Sequence, residues 1–459
     1  MDRLAAEGVR FTNCFTSSPL CVPARQSIIT GLYPHNSNMW QNDAETPLDA
    51  DTYPARLRSA GYRTCGIGKH HLFDCNGDAN LHEHEPKFRA IGFDHIEPTG
   101  GMWSNTGCTS IYTDHLQSLG LLDGFRSYLL DLEAKPDEIR RYTAEPLPLP
   151  AEHYLDAFVG RRVERYVDAY DSDQPSFVYA GFPGPHEPWD APDAYSGFDT
   201  SLLAEPIPEL PDGDWLPPIS RWYHRWAQYF PPPSREALHA ITCRYLGKIA
   251  QIDEQVGRIL AAYERKGWLD HTVVIFASDH GEMLGDLNRI SKSVCYESAI
   301  RVPMIVRMPD GCGAATTRDG FVETIDAHGT ILDAAGCDPP PGTDSRSVLP
   351  LVRADATSIR DDVLAEVHAH YMLRTERWKI VIGRDGQTMA LFDLEHDPLE
   401  QRNYCGHPDY RRGELEMRSR LLGRLTGGTY RPGGVNPELS AHGRDDKLAK
   451  NVWGEGADT

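Results

Sequence analysis

Lysine is scarce in this chain: nine occur in 459 residues, within a total of 46 lysines and arginines. A lysine beside other reactive side chains is then less readily read as casual surface charge, and Lys69 and Lys292 both stand in that position. No apolar run approaches the roughly 20 residues a membrane-spanning helix needs. Nothing at Met1 reads as a signal peptide, and internal repeats are missing. The ten cysteines have neither C-x-x-C nor metal-ribbon spacing, so they read as mostly free, buried thiols rather than a disulfide scaffold. Excess positive charge is missing too. A net charge of −21 argues against nucleic acid or an anionic membrane as a general partner, and an anionic substrate would need a local cluster of cations.

What is present suits a large enzyme. At 40% apolar the chain can bury a full core and divides best into one large domain and one small one. Its focus is Cys21-Val22-Pro23-Ala24-Arg25, running on to Thr30-Gly31. Pro23 suits the first turn of a helix, and Gly31 suits its end. A thiol or oxygen at position 21 would sit at the helix N-terminus, where free amides and the helix dipole favour negative charge. Arg25 lies one turn along the same face and can point back at that charge.

Other blocks follow in order. Residues 2–8 read as a helix capped by Gly8, then a strand over 9–15. A helix over 51–61 leads into a strand over 62–67, with Gly68-Lys69-His70-His71 at its carboxyl end, where open α/β sheets bind ligands. Residues 74–235 read as long rigid loops with few helices, as in Trp215-Leu216-Pro217-Pro218 and Tyr229-Phe230-Pro231-Pro232-Pro233. Within them residues 176–182 form an apolar strand ending in Pro185-His186-Glu187-Pro188. The apolar stripe of residues 235–267 is a packing helix. It hands over to a run over 272–277 of the kind a buried parallel strand shows, followed by Asp279-His280, a pair suited to a divalent cation. Lys292 follows in a polar loop, then a strand over 300–307 and a helix over 326–335. A composition shift near 355–362 marks a smaller domain of short antiparallel strands and a helix over 410–425.

Taken together, the blocks resemble the type I sulfatase family of the alkaline-phosphatase-like superfamily. The likeness rests on Cys21-x-Pro23-x-Arg25, Gly61-Tyr62-Arg63-Thr64, Gly68-Lys69-His70-His71-Leu72, Pro185-His186-Glu187-Pro188 and Ser278-Asp279-His280-Gly281-Glu282. Lys292, Tyr296-Glu297, Arg301-Val302-Pro303, Phe392-Asp393-Leu394 and Asp397-Pro398 extend it. Leu287-Asn288 departs from the His-Gly common in the family. The resemblance implies an α/β fold with a mixed, mostly parallel sheet flanked by helices and a small antiparallel C-terminal subdomain. The expected division is 1–355, 356–426 and a polar tail over 427–459.

The resemblance further implies that Cys21 is matured to Cα-formylglycine by a dedicated enzyme and that a divalent metal, calcium first, sits on Asp279, His280 and residue 21. The hydrated aldehyde then attacks sulfur. Lys69, His71, His186 and Lys292 face the sulfate oxygens, His71 is the base that re-forms the aldehyde, His186 protonates the leaving oxygen, and Arg25 and Lys69 hold the hydrate's charge. In the family a strand ending in two metal-binding aspartates precedes the first helix. Its absence is expected to mean that the natural protein is longer, the alternative being the loss of part of the metal site, and the chain as given is expected to be poorly stable or inactive. An export signal would lie in that same part, so the compartment stays open, periplasmic and secreted included. The expected substrate is a carbohydrate or aryl sulfate, small or oligomeric, with carbohydrate favoured because aromatic and His-rich loops suit sugar faces. The alternatives are a phosphonate monoester or phosphodiester hydrolase with the same nucleophile, a non-catalytic binder of sulfated glycans, and a phosphatase with a Ser or Thr nucleophile, which Cys21 disfavours.

Overall fold

The computed structural model describes residues 1–136, 140, 142–208 and 233–427. The proline-rich stretches at Trp215 and Tyr229 and the tail beyond residue 427 lie outside them. Val9–Phe15 forms β1, in which Val9, Phe11, Cys14 and Phe15 are buried and a register shift falls between Phe11 and Cys14. Arg63–Lys69 forms β2, His95–Thr99 β3, Ser176–Gly181 β4, Val274–Ala277 β5, Arg301–Arg307 β6, Thr316–Arg318 β7 and Val322–Glu323 β8. The strand β1 pairs antiparallel with β6 and parallel with β7 and β8, and β6 pairs antiparallel with β5. In a second sheet β2 lies between β3 and β4, parallel to both. Parallel pairing therefore dominates, but it is divided between two sheets.

The helix Arg235–Arg265 serves both sheets. Its Ile259 and Tyr263 pack with Val178 and Ala180 of β4, and Tyr263, Val256 and Leu260 with Val274 and Phe276 of β5. The run at 272–277 is not the buried parallel strand its sequence suggests. It pairs antiparallel with β6, and its other edge has no strand partner among the described residues, so its side chains stay half-buried or exposed. The same holds for the outer edge of β4, whose residues are mostly half-buried. Two open apolar edges are an invitation to further strand pairing.

Two other expectations need correction. The span 74–235 holds more helix than its sequence suggests, since Ile111–Ser118, Leu122–Glu133 and Leu155–Ala169 are helices. Their Tyr112, Leu116, Phe125, Leu129, Phe158, Val159 and Val163 close one apolar core over β2 and β4. Gly8 does end the first helix, Asp2–Glu7, but with extended backbone (φ −142°) rather than as a left-handed cap. A Cβ there would lie 2.5 Å from the Val306 carbonyl oxygen, so close approach of chains explains the glycine.

The C-terminal sheet is an antiparallel meander of β9 (Val363–Val367), β10 (His370–Arg374), β11 (Trp378–Ile382) and β12 (Thr388–Asp393). Met417 and Leu421 of the helix Arg411–Gly427 cover one face. Arg360 ties this sheet to the rest. Its guanidinium donates to Glu323 Oε2 at 2.8 Å and also to Asp326, all three side chains being buried. Arg360→Ala would strand two buried carboxylates, and we expect a loss of about 3 kcal/mol or more, read from the shift in denaturant midpoint.

Burial also holds His70 down to a pKa of about 3 and His328 to about 4. Below their ordinary pKa of about 6.5 the unfolded chain takes up protons that the folded chain refuses. Melting temperature is therefore expected to fall as pH drops from about 6.5 towards 4, and a flat profile across that window would contradict the assignment.

Candidate active site

Four strand ends feed one site. After β1 the chain turns through Thr16, Ser17 and Ser18 into the helix Cys21–Thr30, whose first residue is Cys21 and whose end is Gly31 in the left-handed region at φ 70°. After β2, which ends at Lys69, comes His71. Beyond β4 lies His186, and beyond β5 lie Asp279 and His280. Thr16 Oγ1 donates to the Asp279 carbonyl at 2.5 Å and the Ser293 amide to the Pro19 carbonyl at 2.9 Å. These bonds lock the β5 loop and the Lys292 loop to the turn before Cys21.

Arg25 sits one turn from Cys21, as the four-residue spacing requires. It spans the site instead of pointing only at residue 21: Nε donates to Asp279 Oδ2 at 2.8 Å, and Nη1 to the Lys69 carbonyl at 2.7 Å and to Tyr179 Oη at 3.1 Å. Cys21 Sγ lies 3.2 Å from His280 Nε2, and His280 Nδ1 donates to the Gly281 carbonyl at 2.8 Å. Lys292 Nζ lies 2.6 Å from His186 Nε2. Lys69 and Lys292 are 4% and 7% exposed, so neither is a surface lysine. His71 lies beside Cys21 and Cys75, and it takes a left-handed backbone (φ 55°), a conformation that strains a non-glycine residue and gathers at functional sites.

The charges reinforce one another. Burial alone would raise the Cys21 thiol, but Lys69, His280 and Lys292, with His186 close by, bring it well below the ordinary range. Burial likewise opposes ionised Asp279, and Arg25 and His280 overcome it, holding the carboxyl well below its usual value. His280 is raised against its burial by Asp279 and Cys21, and His71 against its own burial by the neighbouring Cys21 and Cys75. Burial lowers His186, with Glu187 opposing and Lys292 adding to the effect. Position 21 is thus built to carry negative charge.

Cys21 Sγ, an Asp279 carboxylate oxygen and a ring nitrogen of His280 lie within 4.8 Å of one another. Ligands at roughly 2.0–2.6 Å from one ion stand at most about 5 Å apart, so the three fit a single divalent cation. The sulfur here stands where oxygen would be on a matured residue. Asp393, Glu395 and His396 form a second such group, but Glu395 and His396 are exposed, and Arg377 and His396 already pair with Asp393.

All eight residues singled out from the sequence, Cys21, Arg25, Lys69, His71, His186, Asp279, His280 and Lys292, are tied into this one constellation. Sequence reasoning missed four contributors. Tyr179, inside the apolar run of β4, receives the Arg25 hydrogen bond. Cys75 backs His71. Asn42 Oδ1 accepts the Val22 amide at 3.0 Å at the head of the Cys21 helix. Glu187 lies against His186 and Lys292, and only its place between two motif prolines could have flagged it.

The chain matches the sulfatase family over residues 1–337, and the C-terminal region of N-sulphoglucosamine sulphohydrolase over residues 285–426. It is 26% identical to an N-acetylglucosamine-6-O-sulfatase of Bacteroides thetaiotaomicron, covering 91% of this chain and 80% of that protein. With an arylsulfatase of Clostridium perfringens it is again 26% identical, covering 93% and 89%. A solved phosphonate monoester hydrolase from Silicibacter pomeroyi superposes with a TM-score of 0.77 at 24% identity, covering 93% of this chain and 90% of that one, which establishes the shared fold. From the family match and the full-length relatives together, the chain belongs to the sulfatase family, the sulfuric ester hydrolases of alkaline-phosphatase-like fold.

Proposed function

We propose that this protein hydrolyses a sulfate monoester of a carbohydrate or aryl alcohol, using Cys21 matured to formylglycine and a divalent cation held by Asp279 and His280. The observation that carries the reading is the meeting of Cys21, Asp279 and His280 within 4.8 Å, beside the buried Lys69 and Lys292. When present, the cation would polarise a sulfate oxygen and the matured residue would supply the attacking oxygen. Lys69 and Lys292 compensate the charge spread over the other sulfate oxygens, and Arg25 keeps Asp279 ionised and in place. His186 delivers a proton to the departing alcohol, and His71, against residue 21, takes the proton whose removal releases sulfate.

Calcium is the ion the family likeness implies. An imidazole among the donors also suits a borderline ion such as manganese, since calcium favours an all-oxygen shell. A formylglycine-generating enzyme is the implied maturation partner. The test is mass spectrometry of the tryptic peptide from Phe11 to Arg25 after co-expression with that enzyme. Residue 21 should lose sulfur and gain an aldehyde, whereas full activity with an intact thiol would refute the nucleophile.

Phosphonate monoester hydrolysis is the second reading, favoured by the superposition on the Silicibacter enzyme and by a ring of cations that would serve a tetrahedral phosphorus equally well. Rates on 4-nitrophenyl sulfate and on the 4-nitrophenyl monoester of phenylphosphonate separate the two. We expect the sulfate to be the better substrate by at least about tenfold in kcat/KM, equivalent to about 1.4 kcal/mol of transition-state preference. Binding of a sulfated sugar without turnover would instead support a non-catalytic homologue.

A further inference from the structure

His186 Nδ1 lies 2.8 Å from the backbone carbonyl of Glu187. A carbonyl only accepts, so Nδ1 carries a hydrogen and the neutral ring presents a lone pair at Nε2. Lys292 Nζ, 2.6 Å away, donates to that lone pair. The group available to protonate a leaving oxygen is therefore a coupled pair, not a lone histidine.

Glu187 closes around both members. Its Oε2 is 3.4 Å from His186 Nδ1 and 3.7 Å from Lys292 Nζ. That oxygen is shielded from solvent and has no hydrogen-bond partner among the described residues, although the side chain as a whole is 31% exposed. A carboxylate oxygen buried without a hydrogen bond is unfavourable by itself, and so is an extra anion beside an anion-binding site. The Lys292 ammonium and the Nδ1–H of His186, both beside that oxygen, make the placement tenable.

We propose that Glu187 is the positioning residue of the leaving-group acid. Its main-chain carbonyl sets the tautomer of His186, and its carboxylate holds Lys292 against Nε2. The assignment rests on the role given above to His186. In the step it serves, the S–O bond breaks with its electron pair on the alcohol oxygen, one proton passes from the pair to that oxygen, and the charge of the pair falls by one until solvent restores the proton.

The test compares aryl sulfates whose leaving groups differ in basicity, using the matured, cation-loaded full chain. Phenyl sulfate needs its leaving oxygen protonated far more than 4-nitrophenyl sulfate does. Glu187→Ala should lower kcat/KM on phenyl sulfate by about 10- to 100-fold more than on 4-nitrophenyl sulfate. Glu187→Gln, which keeps size and main chain, should fall between Glu187→Ala and the parent protein, and the thermal melts of both variants should stay near that of the parent. Equal losses on both substrates would overturn the proposal, as would no loss on either. His186→Ala is measured alongside. If it discriminates between the two esters and the Glu187 variants do not, only the positioning role falls. If it fails to discriminate, the leaving-group acid itself is misassigned, and the proposal falls with it.

Discussion

Cys21→Ala should reduce turnover of an aryl sulfate by at least about 10⁴-fold while leaving the fold in place, because removal of a covalent nucleophile leaves only binding and electrostatic stabilisation. Residue 21 is buried at the first turn of its helix, and alanine is a good helix former that removes a single sulfur atom, at a cost of about 1 kcal/mol. A melting temperature within about 3 °C of the parent is therefore expected. Loss of the negative charge at position 21 adds a further part to that cost, since Lys69, His280 and Lys292 then face one another without it. Substrate binding, read as Kd in the inactive variant, should change by less than tenfold. Activity retained within tenfold of the parent would remove Cys21 from the chemistry and with it the maturation step.

The second large effect is expected at Asp279. Asp279→Asn keeps the shape and one oxygen to accept from Arg25 but deletes the formal charge. Calorimetric titration with Ca²⁺ or Mn²⁺ should show affinity lowered by about 100-fold or more, because the carboxylate is the only side-chain anion besides residue 21 among the three donors. Turnover at subsaturating cation should fall by about 10³-fold, through the weakened cation and through an Arg25 that has lost its counter-charge. The variant must also be less stable, since Arg25 is almost buried and its ion pair is the main compensation for that burial. If cation affinity is unchanged, the three-donor site is not where the ion binds, whatever the effect on rate.

The strands and the motif residues were legible because their signals are local. The apolar residues of Val9–Phe15, the Pro23 and Gly31 punctuation of the Cys21 helix and the stripe on Arg235–Arg265 reflect local strand and helix preferences, and these are sequence properties. The helices Ile111–Ser118 and Leu122–Glu133 were not legible, because the prolines that follow them, Pro136, Pro146, Pro148 and Pro150, outweighed two short apolar stripes that acquire meaning only against β2 and β4. Exposure of β5 was equally hidden: a run of Val, Ile, Phe and Ala reads as fully buried whether or not its outer edge is paired. Glu187 and Tyr179 escaped notice for a further reason. A glutamate in a loop and a tyrosine in an apolar strand have ordinary solvated or packed explanations until a partner is known.

The order of reactive residues, and the likeness that joins Cys21 to Asp279-His280 across more than 250 positions, are properties of the chain as a linear text, since each block carries its own turn chemistry and periodicity. Which atoms touch is another matter. Only folding could decide that Arg25 would bridge Asp279, Lys69 and Tyr179, that Lys292 would lean on His186, and that a carboxylate from Glu187 would lie beside both. Those contacts depend on where four strand ends converge, and convergence is set by long-range packing, which no window of sequence contains.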